Sequence, residues 1–147
     1  MRLFFRSWIF LAALAAFFPG SPTLAAEVIS VKEAHERALK KEIVLVDVRS
    51  IDEWRDTAIP EGGIPISIHH PGGMQGFIET VRKALDNDFG KPVALICRYG
   101  VRSTRAQWAL EEPGLKKVLN VREGLKGNVI DGSGWFDAKL PMVPYKR

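Results

Sequence analysis

A run of four aliphatic residues, Val93-Ala-Leu-Ile96, opens directly onto the chain's one cysteine. The loop Cys97-Arg-Tyr-Gly-Val-Arg102 follows, and then a segment from Ser103 to Leu110 with Ala106, Trp108, Ala109 and Leu110 as its apolar positions. An apolar run this short, with no polar alternation, reads as a strand buried on both faces. Gly100 gives the loop the backbone freedom to turn tightly, and Ser103 to Leu110 reads as a helix. Strand, glycine-bearing loop, helix is an arrangement that points successive backbone N–H groups into one concavity at a helix N-terminus, where an anion is held. A cysteine at the lip of such a cradle, flanked by Arg98 and Arg102, has negative charge on its sulfur favoured. The plain alternative is a buried structural cysteine, since free Cys is among the most buried residue types. With Arg98, Gly100 and Arg102 beside it, the reactive reading is preferred.

The rest of the chain alternates strands with helices. Ser30-Val-Lys-Glu33 has the spacing of a capping box. Val31, Ala34, Ala38 and Leu39 recur at helical intervals, which predicts a first helix over Ser30 to Lys40, with His35 on its solvent side. Ile43 to Val48 reads as a buried parallel strand, with Asp47 and Arg49 at its C-terminal end, where ligands collect in open α/β sheets. A structural ion pair, joined by Glu53, is the preferred reading of Asp47 and Arg49. Asp52 to Asp56 predicts a single helical turn anchored by Trp54. Pro60-Glu-Gly-Gly-Ile-Pro65 reads as a turn-rich connection and Ile66-Ser-Ile68 as a short strand. His69-His70-Pro71-Gly72 reads as a loop, because metal ligation needs three or four convergent groups and the chain has three His and one Cys without ligand spacing. Met74, Phe77, Ile78, Val81, Ala84 and Leu85 give a second helix, and Val118 to Val121 a further strand. Arg122 to Gly134 carries four glycines and few core residues, an open loop by this reading. Trp135 either plugs the core edge or, with Phe136, lines the mouth of the cradle. Pro141 to Arg147 reads as a tail without a role. The alternation predicts an α/β fold of three layers, a mostly parallel central sheet with helices on both faces.

Residues 1–26 stand apart. Arg2 and Arg6 precede an unbroken apolar run from Trp8 to Phe18, and Pro19-Gly-Ser-Pro22 breaks it before the small residues ending at Ala25 and Ala26. This is the pattern of a secretory signal peptide cleaved after Ala25 or Ala26. Eleven apolar residues fall short of the ~20 that span a bilayer, although an uncleaved anchor is the rival reading. Export to a periplasm or beyond is the expectation, with the membrane involved only through that signal and residues 27–147 forming one domain. Without Arg2 and Arg6 the balance is 19 basic to 17 acidic side chains. The basic residues are spread along the chain, which argues against a nucleic-acid partner. A lone thiol in an exported chain forms no internal disulfide and is a candidate for reactivity or intermolecular pairing.

The loop Cys97-Arg-Tyr-Gly-Val-Arg-Ser103 resembles the cysteine loop of the rhodanese (sulfurtransferase) family. Leu45-Val-Asp-Val-Arg-Ser-Ile-Asp-Glu-Trp54 is similar to that family's strand and acidic-aromatic stretch. Ile59-Pro-Glu-Gly-Gly-Ile-Pro-Ile66 resembles its Pro/Gly connection. Lys117 to Gly124, then Trp135 and Leu140-Pro141, resemble its last strand and tail, so the likeness spans residues 28–143. It implies that Cys97 carries a persulfide. Arg98, Tyr99, Gly100, Val101, Arg102 and Ser103 then form the substrate-binding loop, with Asp47 and Arg49 in support. A small anionic donor such as thiosulfate, a thiol or cyanide acceptor and a periplasmic protein partner are implied, with no cofactor or metal. The chain departs from the family at Thr57-Ala58, where a Gly-His pair is usual, a change that bears on local packing more than on chemistry. Two other readings stand beside it. One is a non-catalytic module of the same type that binds a partner protein. The other is a cysteine phosphatase or arsenate reductase, whose loops place five residues between Cys and Arg where Cys97 and Arg102 enclose four.

Overall fold

The computed structural model describes residues 27–111 and 114–146. The leader expected over residues 1–26 lies outside them. In chain order the elements are β1 (Glu27–Val28), α1 (Val31–Leu39), β2 (Val44–Asp47), α2 (Ile51–Thr57), β3 (Ile59–Pro60), β4 (Gly63–Pro65), α3 (Gly73–Ala84), β5 (Val93–Ile96), α4 (Val101–Glu111), β6 (Val118–Val121) and β7 (Met142–Val143).

Five strands form one parallel sheet in the order β1-β6-β5-β2-β4. Each strand reaches its parallel neighbour by a crossover, and the helices in those crossovers cover the sheet. Side-chain alternation sends neighbouring strand residues to opposite faces. Leu45, Ala94, Ile96, Leu119 and Val121 join Val31, Ala34 and Ala38 of α1 in one apolar cluster, closed by Leu125 and Trp135. Val46, Val93, Leu95 and Val118 join Phe77, Ile78 and Val81 of α3 and Ala106 and Leu110 of α4 in the other. Each fully buried Leu, Val or Phe contributes about 2 kcal/mol, so these two clusters hold the central strands rigidly in place. The three-layer expectation holds.

Local details differ from the sequence reading. Ser30 caps α1 by accepting from the Glu33 N–H at 3.2 Å, but Glu33 turns to Arg37 at 2.9 Å instead of reaching back. The complete capping box is at α2, between Ser50 and Glu53. The strand expected at Ile66–Ile68 lies three residues earlier, at β4. There Ile64 pairs with Val46, while Ile66 and Ile68 only hang from the Asp47 and Val48 carbonyls at 3.1 and 3.2 Å. The tail has a role: β7 pairs antiparallel with β3, the Pro141 carbonyl accepts from the Trp135 indole N–H at 3.0 Å, and Tyr145 sits 5.3 Å from the Trp54 ring. His35 is not on a solvent face. Its Nε2 lies 2.9 Å from Glu61 and its ring stands edge-on to Trp135, because α1 packs that flank against the closing loop. His70 organises a turn, its Nδ1 accepting from the Gly72 N–H at 3.0 Å.

Candidate active site

Cys97 follows the central strand β5 at the C-terminal edge of the sheet. The loop is shorter than expected, because α4 starts at Val101 and takes Val101, Arg102 and Ser103 into its first turn. The cause is Gly100. At φ +88° it reverses the chain in one residue, and its carbonyl accepts from the Thr104 N–H at 3.0 Å to open the helix. The Ser103 and Thr104 hydroxyls donate to the same carbonyl at 2.9 and 2.8 Å. Its N–H donates to Cys97 Sγ at 3.2 Å, while the thiol donates to Ser103 Oγ at 3.6 Å. Only glycine fits twice over, since a Cβ at Gly100 would stand 2.2 Å from the Arg122 carbonyl oxygen. The cysteine is not at an exposed lip. It is 1% exposed and belongs to the apolar cluster beneath α3 and α4.

The loop rests on the segment that the sequence reading left open. Leu125 and Lys126 donate their N–H groups to the Cys97 and Arg98 carbonyls at 2.9 and 3.0 Å. Gly124, at φ +68°, lets that approach occur, for a Cβ there would meet the Arg98 oxygen at 2.7 Å. Leu125 and Trp135 are fully buried, so Trp135 plugs the core. Phe136, by contrast, borders a small cleft with Arg49, Glu53 and Arg98.

The charged residues divide into two knots. Arg49 donates to both Asp47 oxygens, at 2.6 to 3.0 Å, and its other N–H groups reach Thr57 Oγ1 at 2.6 Å and the Ala58 carbonyl at 2.7 Å. Both side chains are buried, and the pair ties the end of β2 to the end of α2. Glu53 is not the third member of that knot and reaches Arg49 only through its backbone carbonyl, at 3.5 Å. Its carboxylate grips Arg102 with two bonds, at 2.5 and 2.8 Å, and also accepts from the Ser50 N–H and hydroxyl at 3.1 Å each. The Arg102 bonds, with smaller help from Ser50, hold the Glu53 carboxyl at about 2, against the opposing effect of its burial. Arg102 is held more firmly protonated by Glu53, with lesser contributions from Cys97 and Asp47. Arg98 lies over the Tyr99 ring at 5.5 Å, and its buried Nε has no hydrogen-bond partner among the described residues. Tyr99 and Val101 line a neighbouring groove.

The sequence reading names Glu53 but gives it to the Asp47–Arg49 pair instead of Arg102, and it misses Asn120. Glu53 carries a local signal, since Ser50-x-x-Glu53 has capping-box spacing. Buried Asn120 carries none: its side-chain amide donates to Thr104 Oγ1 at 2.8 Å and Gln107 Oε1 at 3.3 Å, a contact between β6 and α4 that exists only once the sheet is assembled.

A parallel α/β domain with a cysteine loop at the end of its central strand is the class that fold and site define. The rhodanese-like domain model matches residues 30–129, and the chain belongs to that family. It is 28% identical to the thiosulfate sulfurtransferase GlpE of Glaesserella parasuis, over 78% of this chain and 90% of that one. It is 35% identical to YtwF of Bacillus subtilis over 66% of this chain and 89% of that one. Among solved structures, Rv0390 of M. tuberculosis superposes with a TM-score of 0.63 at 27% identity, covering 80% of this chain and 97% of that one.

Proposed function

We propose that this chain is a sulfurtransferase that carries a sulfane sulfur as a persulfide on Cys97. The observation that carries the proposal is the Gly100 N–H aimed at the sulfur of a free, shielded cysteine at the end of the central strand. The Cys97 thiolate attacks the outer sulfur of thiosulfate; the S–S bond of the donor breaks, its electron pair leaving with sulfite, and Cys97 Sγ–S⁻ remains. Cyanide or a thiolate then attacks that terminal sulfur, and the electron pair of the second S–S bond returns to Cys97. No proton moves in the cyanide cycle, so no general acid is required, and the rate follows the thiolate fraction and the leaving group. The Gly100 N–H supports negative charge on Sγ in both directions. Glu53 neutralises much of the Arg102 charge, so Arg98 is the freer cation for an anionic donor. Ser103 orients the thiol, while Asp47 and Arg49 support the strand end. The apolar run and small-residue boundary of residues 1–26 support export, and with it a reaction in the periplasm or outside the cell.

The test is intact mass after thiosulfate and again after cyanide. The expected result is a gain of one sulfur atom, absent in Cys97→Ala and reversed by cyanide. No gain with thiosulfate or a polysulfide would overturn the proposal.

A further inference from the structure

Beside the cysteine loop lies a groove of about 790 Å³, walled by Tyr99, Val101 and Trp108 on one side and by Val129 and Ile130 on the other. Its walls are apolar side chains standing in water. Val129 is fully exposed at 104%, Ile130 is 81% exposed and Trp108 62%. Scattered exposed apolar residues need no explanation, but a contiguous set around a concavity marks an interaction site. The Val129–Ile130 tip is also held in shape. Asn128 bridges to Gly132, its Oδ1 accepts from the Ile130 and Asp131 N–H groups at 3.0 and 2.8 Å, and its side-chain amide donates to the Arg122 carbonyl at 2.9 Å. The tip is therefore fixed in the conformation that displays the two side chains, with little ordering left to occur on binding.

Charge selects the occupant. Among the described residues Asp131 is the one carboxylate lining the groove, and Arg122 holds it at 3.3 Å. Arg105 on the wall makes no ion pair among the described residues. The rim thus keeps an unbalanced positive charge around an apolar floor, which is complementary to an acidic segment with an apolar anchor.

We propose that this groove docks a protein segment that inserts an apolar side chain flanked by carboxylates, and that this protein presents the thiol exchanging sulfur with Cys97. The second half rests on the sulfurtransferase reading; the docking itself does not. A concave site fits an inserted side chain better than it fits a flat lipid surface, and its charge opposes a second copy of the same basic rim.

The probes are two short synthetic peptides with the same leucine and tryptophan anchors, one flanked by glutamates and one by lysines. Binding to the full chain is read by anisotropy of a label on the peptide. The glutamate peptide is expected to bind, Ile130→Asp to weaken it about tenfold or more, and Arg105→Glu to shift preference toward the lysine peptide. Ile130→Asp is expected to leave thiosulfate–cyanide turnover intact, which also reports its folding. Equal binding of both peptides, or no binding of either, overturns the docking proposal. So does Ile130-dependent binding to phosphatidylglycerol vesicles, or Ile130-dependent dimerisation in sedimentation, either of which assigns the groove elsewhere. Docking with no turnover in the wild-type chain would instead count against the sulfurtransferase reading alone.

Discussion

Ala58 holds a backbone conformation, φ +66° and ψ −173°, that is almost confined to glycine. It does so because its N–H bonds the Trp54 carbonyl at 2.9 Å and its own carbonyl receives Arg49 at 2.7 Å. The strained residue is thus the second of the Thr57-Ala58 departure visible in the sequence. Ala58→Gly is expected to raise stability by about 1 kcal/mol, the relief of strain exceeding glycine's extra unfolded-state entropy; urea unfolding checks it. Glu53 yields a pH prediction. Its carboxyl is lowered in the fold to about 2 from an ordinary 4.5. A depressed carboxyl contributes stability that is complete above the ordinary value and is lost as pH falls toward the folded one. The difference in Tm between wild type and Glu53→Gln is therefore expected to be constant near neutrality, to shrink below about pH 4.5 and to vanish near pH 2. A difference that persists unchanged at pH 3 would show that the Arg102 pair contributes nothing through charge.

Elements show most clearly what a sequence discloses. α1, α3 and the strands β2, β5 and β6 were legible because one kind of signal, apolar period, defines each: Phe77, Ile78 and Val81 for α3, Val93 to Ile96 for β5. The start of α4 was not, because Gly100 acts as helix cap and sulfur ligand at once, and only the fold shows the Arg122 carbonyl that excludes any side chain there. Residues 122–134 were misread as open for a related reason. Their order comes from hydrogen bonds to the Cys97 and Arg98 carbonyls, partners roughly thirty positions away that no local pattern announces. Cys97 itself was found, but its burial was not, since a strand's end can face the core or the solvent with the same composition. Gly100→Ala tests the reading of this junction. The loop must move to clear Arg122, taking the N–H from the sulfur, and persulfide formation is expected to fall about a hundredfold while far-UV circular dichroism stays native. The Asp47–Arg49 knot between β2 and α2 is structural by contrast. Arg49→Ala leaves a buried carboxylate without its partner and is expected to cost about 3–5 kcal/mol in urea unfolding, whether or not sulfur is present.

At the scale of the molecule, the sheet order places β5 at the centre, so the sulfur sits at the most rigid point of the frame and everything adjustable lies in the loops around it. The first described strand, β1, begins at Glu27 and pairs with β6 through Glu27 and Leu119. Expression of all 147 residues in an exporting bacterium is expected to give a periplasmic protein whose mass begins at Ala26 or Glu27. Retention of residues 1–26 in a membrane fraction would count against the leader reading. The depth of Cys97 has a further consequence, for handling and for traffic. Two copies cannot bring their only thiols to the roughly 2 Å of a disulfide without opening their loops, so the protein can be stored in air and still run as a single band on a non-reducing gel. Under the proposed sulfur transfer, loading would change what is within reach, because the added atom would extend the side chain by one S–S bond, about 2 Å. An acceptor would then meet the cargo while the carrier atom behind it stayed sheltered, and the cysteine would survive each delivery unspent.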